Sequence, residues 1–124
     1  MSRLSNTDDL HYRVTIMRGL KEHSFNEWLV IESQRGEKDA FTTLIKNWEQ
    51  RYFLYALNRL KSPEAAKDVT QESLISISKS LRELSDPVSY PNWSFRIVER
   101  RRVDWLAKAI RERVRVIWRR RRAL

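Results

Sequence analysis

The feature that most constrains the fold is the regular spacing of apolar residues between Lys38 and Lys61. They recur in steps of three and four, so in a helix they would form one broad stripe along a single face. The stripe consists of Phe41, Leu44, Ile45, Trp48, Tyr52, Phe53, Ala56, Leu57 and Leu60. The 124-residue chain also has only two glycines and three prolines, and it lacks the Asn-Gly and Asp-Gly pairs typical of hairpins. An all-α domain is therefore predicted.

Capping and turn residues predict two further helices on either side of this one. Ser24 and Glu27 fit a capping box that would begin a short helix, and Gly36 would end it. After the long helix, the Ser62–Pro63 pair supplies a cap and a first helical residue. The apolar spacing then carries the next helix to about Leu84.

The helix predicted from Pro63 to Leu84 has two different faces. One face would point into the core and carries Ala66, Leu74, Ile77, Leu81 and Leu84. The other is mostly charged and carries Asp68, Glu72, Ile75, Lys79 and Arg82, with Gln71 beside them. Ile75 is either a stray apolar side chain on the surface or the centre of a small partner-binding face with acidic anchors.

The segment SDPVSYPNW interrupts the helical pattern. Pro87 and Pro91 each restrict the residue before them, so a loop is predicted. A helix can then run from Pro91 to the arginine-rich end, with one apolar face formed by Val103, Leu106, Ala107, Ile110, Val114 and Ile117. We expect Val103, Leu106 and Ala107 to hold this helix to the core, whereas Ile117 and Trp118 lie too far along it to reach a core.

The net charge of +9 is concentrated at the C-terminal end. The segment Arg96–Leu124 contains twelve basic and three acidic residues, whereas residues 1–95 are neutral overall. Such a patch attracts polyanions, either nucleic acid or an anionic membrane. Nucleic acid is favoured because nearby aromatic rings can stack on unpaired bases, although a tryptophan at helical spacing is usually a core residue. These rings belong to Tyr90, Trp93, Phe95 and Trp105.

Catalytic and metal-binding patterns are absent from the sequence. It has no cysteine, no HExxH pair, no glycine-rich phosphate loop and no GxSxG elbow. We therefore expect no enzymatic activity, no cofactor and no metal site. The sequence also lacks a secretion signal and any long apolar run, which predicts a cytoplasmic protein.

Taken together, the segments from AFTTLIKNWEQ to RRRVDWL resemble region 2 of the extracytoplasmic-function sigma factors of bacterial RNA polymerase. The resemblance runs from about Leu29 to Arg113. It rests on an Ala-Phe pair opening a long aromatic helix, an acid-x-x-Gln-Glu motif, and Trp-x-x-Arg-Ile and Asp-x-Leu motifs after a loop. The matching residues are Ala40, Phe41, Asp68, Gln71, Glu72, Trp93, Arg96, Ile97, Asp104 and Leu106. The implied fold is a compact bundle of about four helices, to which the periodicity adds an extended basic C-terminal helix.

The resemblance implies two binding surfaces. One would dock on the clamp helices of the largest subunit of core RNA polymerase, through Asp68, Gln71, Glu72, Ile75 and Lys79. The other would recognise and melt the −10 promoter element and hold it as single-stranded DNA with one base flipped out. It would use the loop at Leu84–Asn92 and the residues Tyr90, Asn92, Trp93, Arg96, Arg100, Arg101, Arg102 and Lys108. An anti-sigma factor is a further implied partner, and a membrane is not.

Two departures from the family leave alternatives open. Arg100 stands where many members carry Asn, so the identity of a base read there does not carry over. Members also normally continue into a second domain that binds the −35 element, and this sequence stops at Leu124. The candidates are a sigma factor or its region 2, a region-2-only regulator acting as a split sigma subunit or polymerase decoy, and a non-specific basic nucleic-acid-binding protein. Within the chain we expect an N-terminal extension at 1–23 with a weak helix signal, a region 2-like domain at 24–113, and a basic tail or linker start at 114–124.

Overall fold

The computed structural model describes residues 24–123. In this range the chain forms four α-helices and two short 3₁₀ turns and contains no strand, which confirms the all-α prediction. The helices are α1 at residues 24–34, α2 at Lys38–Leu60, α3 at Pro63–Ser80 and α4 at Tyr90–Ala123, with 3₁₀ turns at Leu81–Glu83 and Pro87–Ser89. The extension predicted at residues 1–23 lies outside the described residues.

Short turns with well-defined backbone join the first three helices. Gly36 has a φ of 97° between α1 and α2, in the left-handed region that glycine enters without strain. Lys61 also has a positive φ, of 57°, and its N–H donates to the Leu57 carbonyl oxygen at 2.8 Å. The Ser62 side chain then accepts a hydrogen bond from the Ala65 N–H at 3.2 Å and caps α3. The predicted stop at Gly36 and start at Ser62 are therefore confirmed.

Buried residues from all four helices form one hydrophobic core, in which α3 packs against both α2 and α4. Its almost fully buried members include Leu29, Val30, Leu44, Tyr52, Ala56, Val69, Ile77, Tyr90 and Val98. The broad stripe predicted for α2 contributes to this core along most of its length, because its remaining apolar side chains are partly buried against the same cluster.

The buried side of α3 differs in part from the predicted one. As predicted, the chain buries Ala66, Ile77, Leu81 and Leu84, although the α-helix itself ends at Ser80. Leu74 was expected in the core and is only half-buried, whereas Val69, Thr70 and Ser73 are buried instead. The Thr70 and Ser73 hydroxyls each donate at 2.7 Å to the carbonyl oxygen four residues earlier, so both are buried with a hydrogen-bond partner.

Helix α4 begins at Tyr90, one residue before the predicted start, and runs without a break to Ala123. Its first part packs on the core through the buried residues Tyr90, Ser94 and Val98. From residue 110 to residue 123 every side chain is exposed. The helix therefore joins the bundle by its first part and projects beyond it by its last part, and the boundary predicted between residues 113 and 114 falls within continuous helix.

The expected core contacts of α4 through Val103 and Leu106 are wrong. Their side chains are 48% and 42% exposed, and Ala107 is only half-buried. Val103 follows the buried Val98 by five residues, which at about 100° per residue turns it roughly 140° away from the core. The apolar periodicity of this segment is real, but it marks the side of α4 that faces away from the bundle.

Candidate functional site

Five exposed residues follow one side of α3, and we call them the α3 surface: Asp68, Gln71, Glu72, Ile75 and Lys79. Their spacing by three and four residues places them on one face of the helix. Ile75 is 55% exposed at the centre of this face. Within the described residues no salt bridge involves Asp68 or Glu72. The structure thus brings together all five residues that the sequence predicts for polymerase binding.

A second set of predicted residues lines α4 at intervals of four, and we call it the α4 surface: Asn92, Arg96 and Arg100. All three are exposed, and the spacing stacks them along one side of the helix. Neither arginine forms a salt bridge within the part of the chain that the structure describes. Both guanidinium groups are therefore available to an anionic ligand. Lys108 is exposed as well, but it lies on another side of α4.

The next two arginines do not belong to the α4 surface, because each step along a helix turns the side chain by about 100°. Arg101 pairs with Asp104 at 3.5 Å, and its Nε atom is buried without a hydrogen-bond partner among residues 24–123. Arg102 donates from Nε to Glu99 Oε2 at 2.9 Å, and a second guanidinium nitrogen binds the other carboxylate oxygen. Of the three consecutive arginines predicted to bind DNA, only Arg100 lies on the α4 surface, and the other two are paired with carboxylates of α4.

The Glu99 carboxylate connects α4 to α2. The Tyr55 hydroxyl donates to Glu99 Oε2 at 2.7 Å, and the Arg59 guanidinium lies 3.5 Å from the centre of the Tyr55 ring. The hydrogen bonds from Arg102 and then from Tyr55 favour the charged form and lower the pKa of Glu99 to about 2. Tyr55 therefore links α2 to α4 through Glu99, and Arg102 pairs with the same carboxylate from within α4.

Tyr90 is a core residue, which contradicts the expectation that it contacts DNA. Its side chain is fully buried, and its hydroxyl oxygen lies 2.9 Å from the Tyr52 hydroxyl, so the two share a hydrogen bond. Burial disfavours both phenolates, raising the pKa of Tyr90 and raising that of Tyr52 to about 12. The Trp48 ring packs against Tyr90 edge-on, with ring centres 5.7 Å apart.

The other aromatic residues near the loop also pack mainly against the core. Phe95 has its ring centre 5.2 Å from that of Tyr52, and Trp105 is half-buried. Trp93 is half-buried too, with its ring centre 6.0 Å from that of Tyr90. The interpretation of these rings as core residues is therefore largely correct, and Trp93 keeps part of its surface exposed beside the loop.

Two sets of hydrogen bonds hold the loop between α3 and α4. The Gln34 side-chain nitrogen donates to the carbonyl oxygens of Leu81 at 2.9 Å and Leu84 at 2.7 Å, and so anchors the loop's beginning to α1. Asp86 Oδ1 accepts from the Val88 N–H at 3.1 Å and caps the second 3₁₀ turn. The Asp-Pro pair carries a sequence signal for such a turn. Gln34 has no sequence signal, because its partners lie 47 and 50 residues away.

Comparison with known proteins identifies the family. Residues 38–112 match the family model of Sigma-70 region 2. The chain belongs to the sigma-70 region 2 family. It is also similar to RNA polymerase sigma factor SigV of Bacillus subtilis (strain 168), with 25% identity over 84 residues. That alignment covers 68% of this chain and 51% of the relative, so the chain spans about half the length of the curated protein that it matches. No solved structure matches the chain significantly.

The range matched to sigma-70 region 2 includes α2, α3 and α4 up to Glu112, and with them both surfaces and the loop. The projecting end of α4 from Arg113 onward lies beyond this range. Among residues 24–123, no helix is both long enough and apolar enough to cross a membrane. In the same range no three acidic or histidine side chains are grouped so that they could hold a metal ion.

Proposed function

We propose that this sigma-70 region 2 domain binds core RNA polymerase through the α3 surface and holds the −10 promoter element as single-stranded DNA on the α4 surface. The observation that carries the proposal is the family match, whose range includes both surfaces. The similarity to a sigma factor supports the same role in transcription initiation. The domain would act by binding alone, and the polymerase would catalyse the formation of the RNA chain.

The α3 surface has the composition of a protein-binding site. Ile75 offers an exposed apolar anchor, and Asp68 and Glu72 beside it form no salt bridge among the described residues. A partner with an apolar contact point flanked by basic side chains would bury Ile75 and pair both carboxylates. The clamp helices of the largest polymerase subunit are the partner that we propose.

The α4 surface and the adjoining loop suit a single strand of DNA. Arg96 and Arg100 are exposed and free of salt bridges within the described residues, so each can bind phosphate oxygens through its planar donor group. The exposed part of Trp93 provides a ring on which an unpaired base can stack. Flipping a base out of the duplex costs a few kcal/mol, which stacking and phosphate contacts would offset.

The docking half of the proposal is tested by measuring binding to core polymerase. We expect Asp68→Asn combined with Glu72→Gln to weaken this binding by about tenfold or more, because both charge pairs are lost. The matched control is Glu49→Gln, which neutralises an exposed carboxylate on α2 and should leave binding unchanged. If the double variant binds as tightly as the control, the α3 surface is not the docking site.

The DNA half is tested with the polymerase complex and a bubble template at several salt concentrations. Removing Arg96 and Arg100 should make the slope of log affinity against log salt shallower by about 1.4, since each phosphate contact on a single strand contributes about 0.7. Lys46→Ala, which removes an exposed cation from α2, is the control. Open-complex formation on a duplex promoter then separates a promoter-melting domain from a protein that occupies the polymerase without initiating transcription.

A further inference from the structure

The last part of α4 is a helix without a neighbour in the described structure. Residues 110–123 are all exposed and extend about 21 Å at 1.5 Å per residue. Helices of this length are only marginally stable when isolated in water, and most helices in proteins owe their stability to a covered apolar face. The kind of partner that could cover this segment can therefore be inferred from its apolar and charged side chains.

One side of α4 is apolar from Val103 to Ile117, which includes the first half of this segment, and we call it the apolar stripe: Val103, Ala107, Ile110, Val114 and Ile117. The alternating steps of four and three residues keep its members on one face over four turns. Ile110 is 55% exposed and Ile117 is 52% exposed, so these side chains lie in water in the isolated domain. Because the stripe points away from the core, a flat surface can approach it without meeting the bundle.

Cations surround the apolar stripe on both sides. Between Val103 and Arg122 there are eight basic residues and only two acidic ones. At about 100° per residue, Arg111 lies along one edge of the stripe and Arg113 and Arg120 along the other, and Arg121 continues the line of the stripe after Ile117. Arginine side chains at such edges can lie along apolar material while their charged ends reach an anionic layer. Trp118, which is 55% exposed next to the stripe, has the amphipathic ring that favours membrane interfaces.

We propose that this end of α4 binds the surface of an anionic phospholipid bilayer, with the helix parallel to the membrane and the apolar stripe among the lipid headgroups and upper acyl chains. A basic amphipathic helix is typical of such binding. A second copy of the chain is disfavoured, because it would bring together two helices that each carry this excess of positive charge. An acidic helix of another protein would pair mainly with the basic residues that flank the stripe and would leave those on the far sides of α4 unpaired. An anionic bilayer acts on every cation within about 10 Å at ordinary salt, which includes those on the far sides of the helix.

The position of the apolar stripe has a consequence for DNA binding. Val103 follows Arg96 by seven residues and Ala107 follows Arg100 by seven, so the α4 surface lies on the same side of the helix as the stripe. A bilayer on the stripe would cover Arg96 and Arg100. Vesicles and single-stranded DNA should therefore compete for the protein. This competition depends on the proposed function, whereas vesicle binding itself does not.

The test is cosedimentation of the full chain with vesicles of equal parts phosphatidylglycerol and phosphatidylcholine, compared with phosphatidylcholine alone. We expect binding to the anionic vesicles only. Ile110→Gln combined with Ile117→Gln should weaken it by at least about tenfold, because two apolar side chains that the bilayer would bury are lost and glutamine keeps the helix propensity. The matched control is Val116→Gln, because Val116 is 45% exposed on the opposite side of α4, and this variant should bind within about twofold of the unaltered chain. Circular dichroism of all variants checks that the helix content is unchanged.

Several results would overturn the proposal. One is the absence of binding to anionic vesicles, and another is binding that the Ile110 and Ile117 changes leave intact, which would reflect charge alone. A third is a concentration-dependent dimer that these changes abolish, which would assign the stripe to a second copy. A fourth is binding to an acidic helical probe peptide in place of vesicles. If vesicles bind through the stripe but do not compete with DNA, the membrane proposal stands and the assignment of DNA to the α4 surface is contradicted.

Discussion

Helices α3 and α4 are both amphipathic, yet they use their apolar sides in opposite ways. On α3, Val69 and Ile77 are completely buried, and the exposed side carries the charged residues around Ile75. On α4, the longest apolar series is the stripe that begins at Val103, and it is mostly exposed, while the core contact is made by Tyr90, Ser94 and Val98. An apolar periodicity therefore reveals that a helix has a face to cover, but it does not say that the chain's own core covers it.

The largest expected difference between the two helices concerns stability. Ile77→Ala should lower the free energy of unfolding by about 2–5 kcal/mol, because it removes buried methyl groups and leaves a cavity. Ile110→Ala should change it by less than about 0.5 kcal/mol, since Ile110 is exposed. Urea denaturation of both variants measures this contrast. Similar losses from the two substitutions would mean that the apolar stripe is buried within the protein.

The next effect concerns the buried contact that holds the beginning of α4. Tyr90→Phe or Tyr52→Phe alone should each cost about 1–3 kcal/mol, because the remaining hydroxyl is left buried without its partner. The double variant should cost less than the sum of the single variants, which a double-mutant cycle measures. Additive losses would show that the two hydroxyl groups do not depend on each other.

A smaller effect is expected at the link between α4 and α2. Glu99→Gln should lower stability by about 1 kcal/mol or less at neutral pH, because Glu99 is partly exposed and solvent weakens its ion pair. The folded pKa of Glu99, about 2, lies below the value of about 4.3 in an unfolded chain. The stabilisation is therefore fully present above pH 4.3 and is lost as the pH falls toward 2. Unfolding at pH 7, 4 and 2.5 should show the difference between variant and unaltered chain shrinking, and a constant difference would contradict the assignment.

The smallest effect on stability is expected on the exposed side of α4. Arg96→Ala should leave unfolding nearly unchanged, within about 0.5 kcal/mol, and make the salt slope of DNA binding shallower by about 0.7. Arg102→Ala should do the reverse, lowering stability while leaving the slope unchanged, because Arg102 binds Glu99. If both substitutions change the slope equally, the structural separation of the two arginines does not govern DNA binding.

Local signals in the sequence were sufficient for most of the fold. The caps at Ser62 and Gly36 and the spacing on α2 depend on neighbouring residues, and the structure agrees with them. The α3 surface was also predictable, because charged residues at helical spacing remain in water. The contacts of Gln34 and the Tyr52–Tyr90 pair were not predictable, because they join residues 38 to 50 positions apart.

The sequence by itself determined that the described part of the chain is helical, where α2, α3 and α4 begin to within a few residues, and which motifs assign the chain to its family. Only the tertiary structure decided which side of α4 faces inward. It placed Tyr90 in the core and paired Arg102 with Glu99, where the sequence had suggested DNA contacts, and it left the apolar stripe exposed among the described residues. The physical reason is that periodicity describes one helix at a time, whereas burial depends on how neighbouring helices are oriented. The end of α4 projects beyond the other described helices, so none of them covers its apolar side.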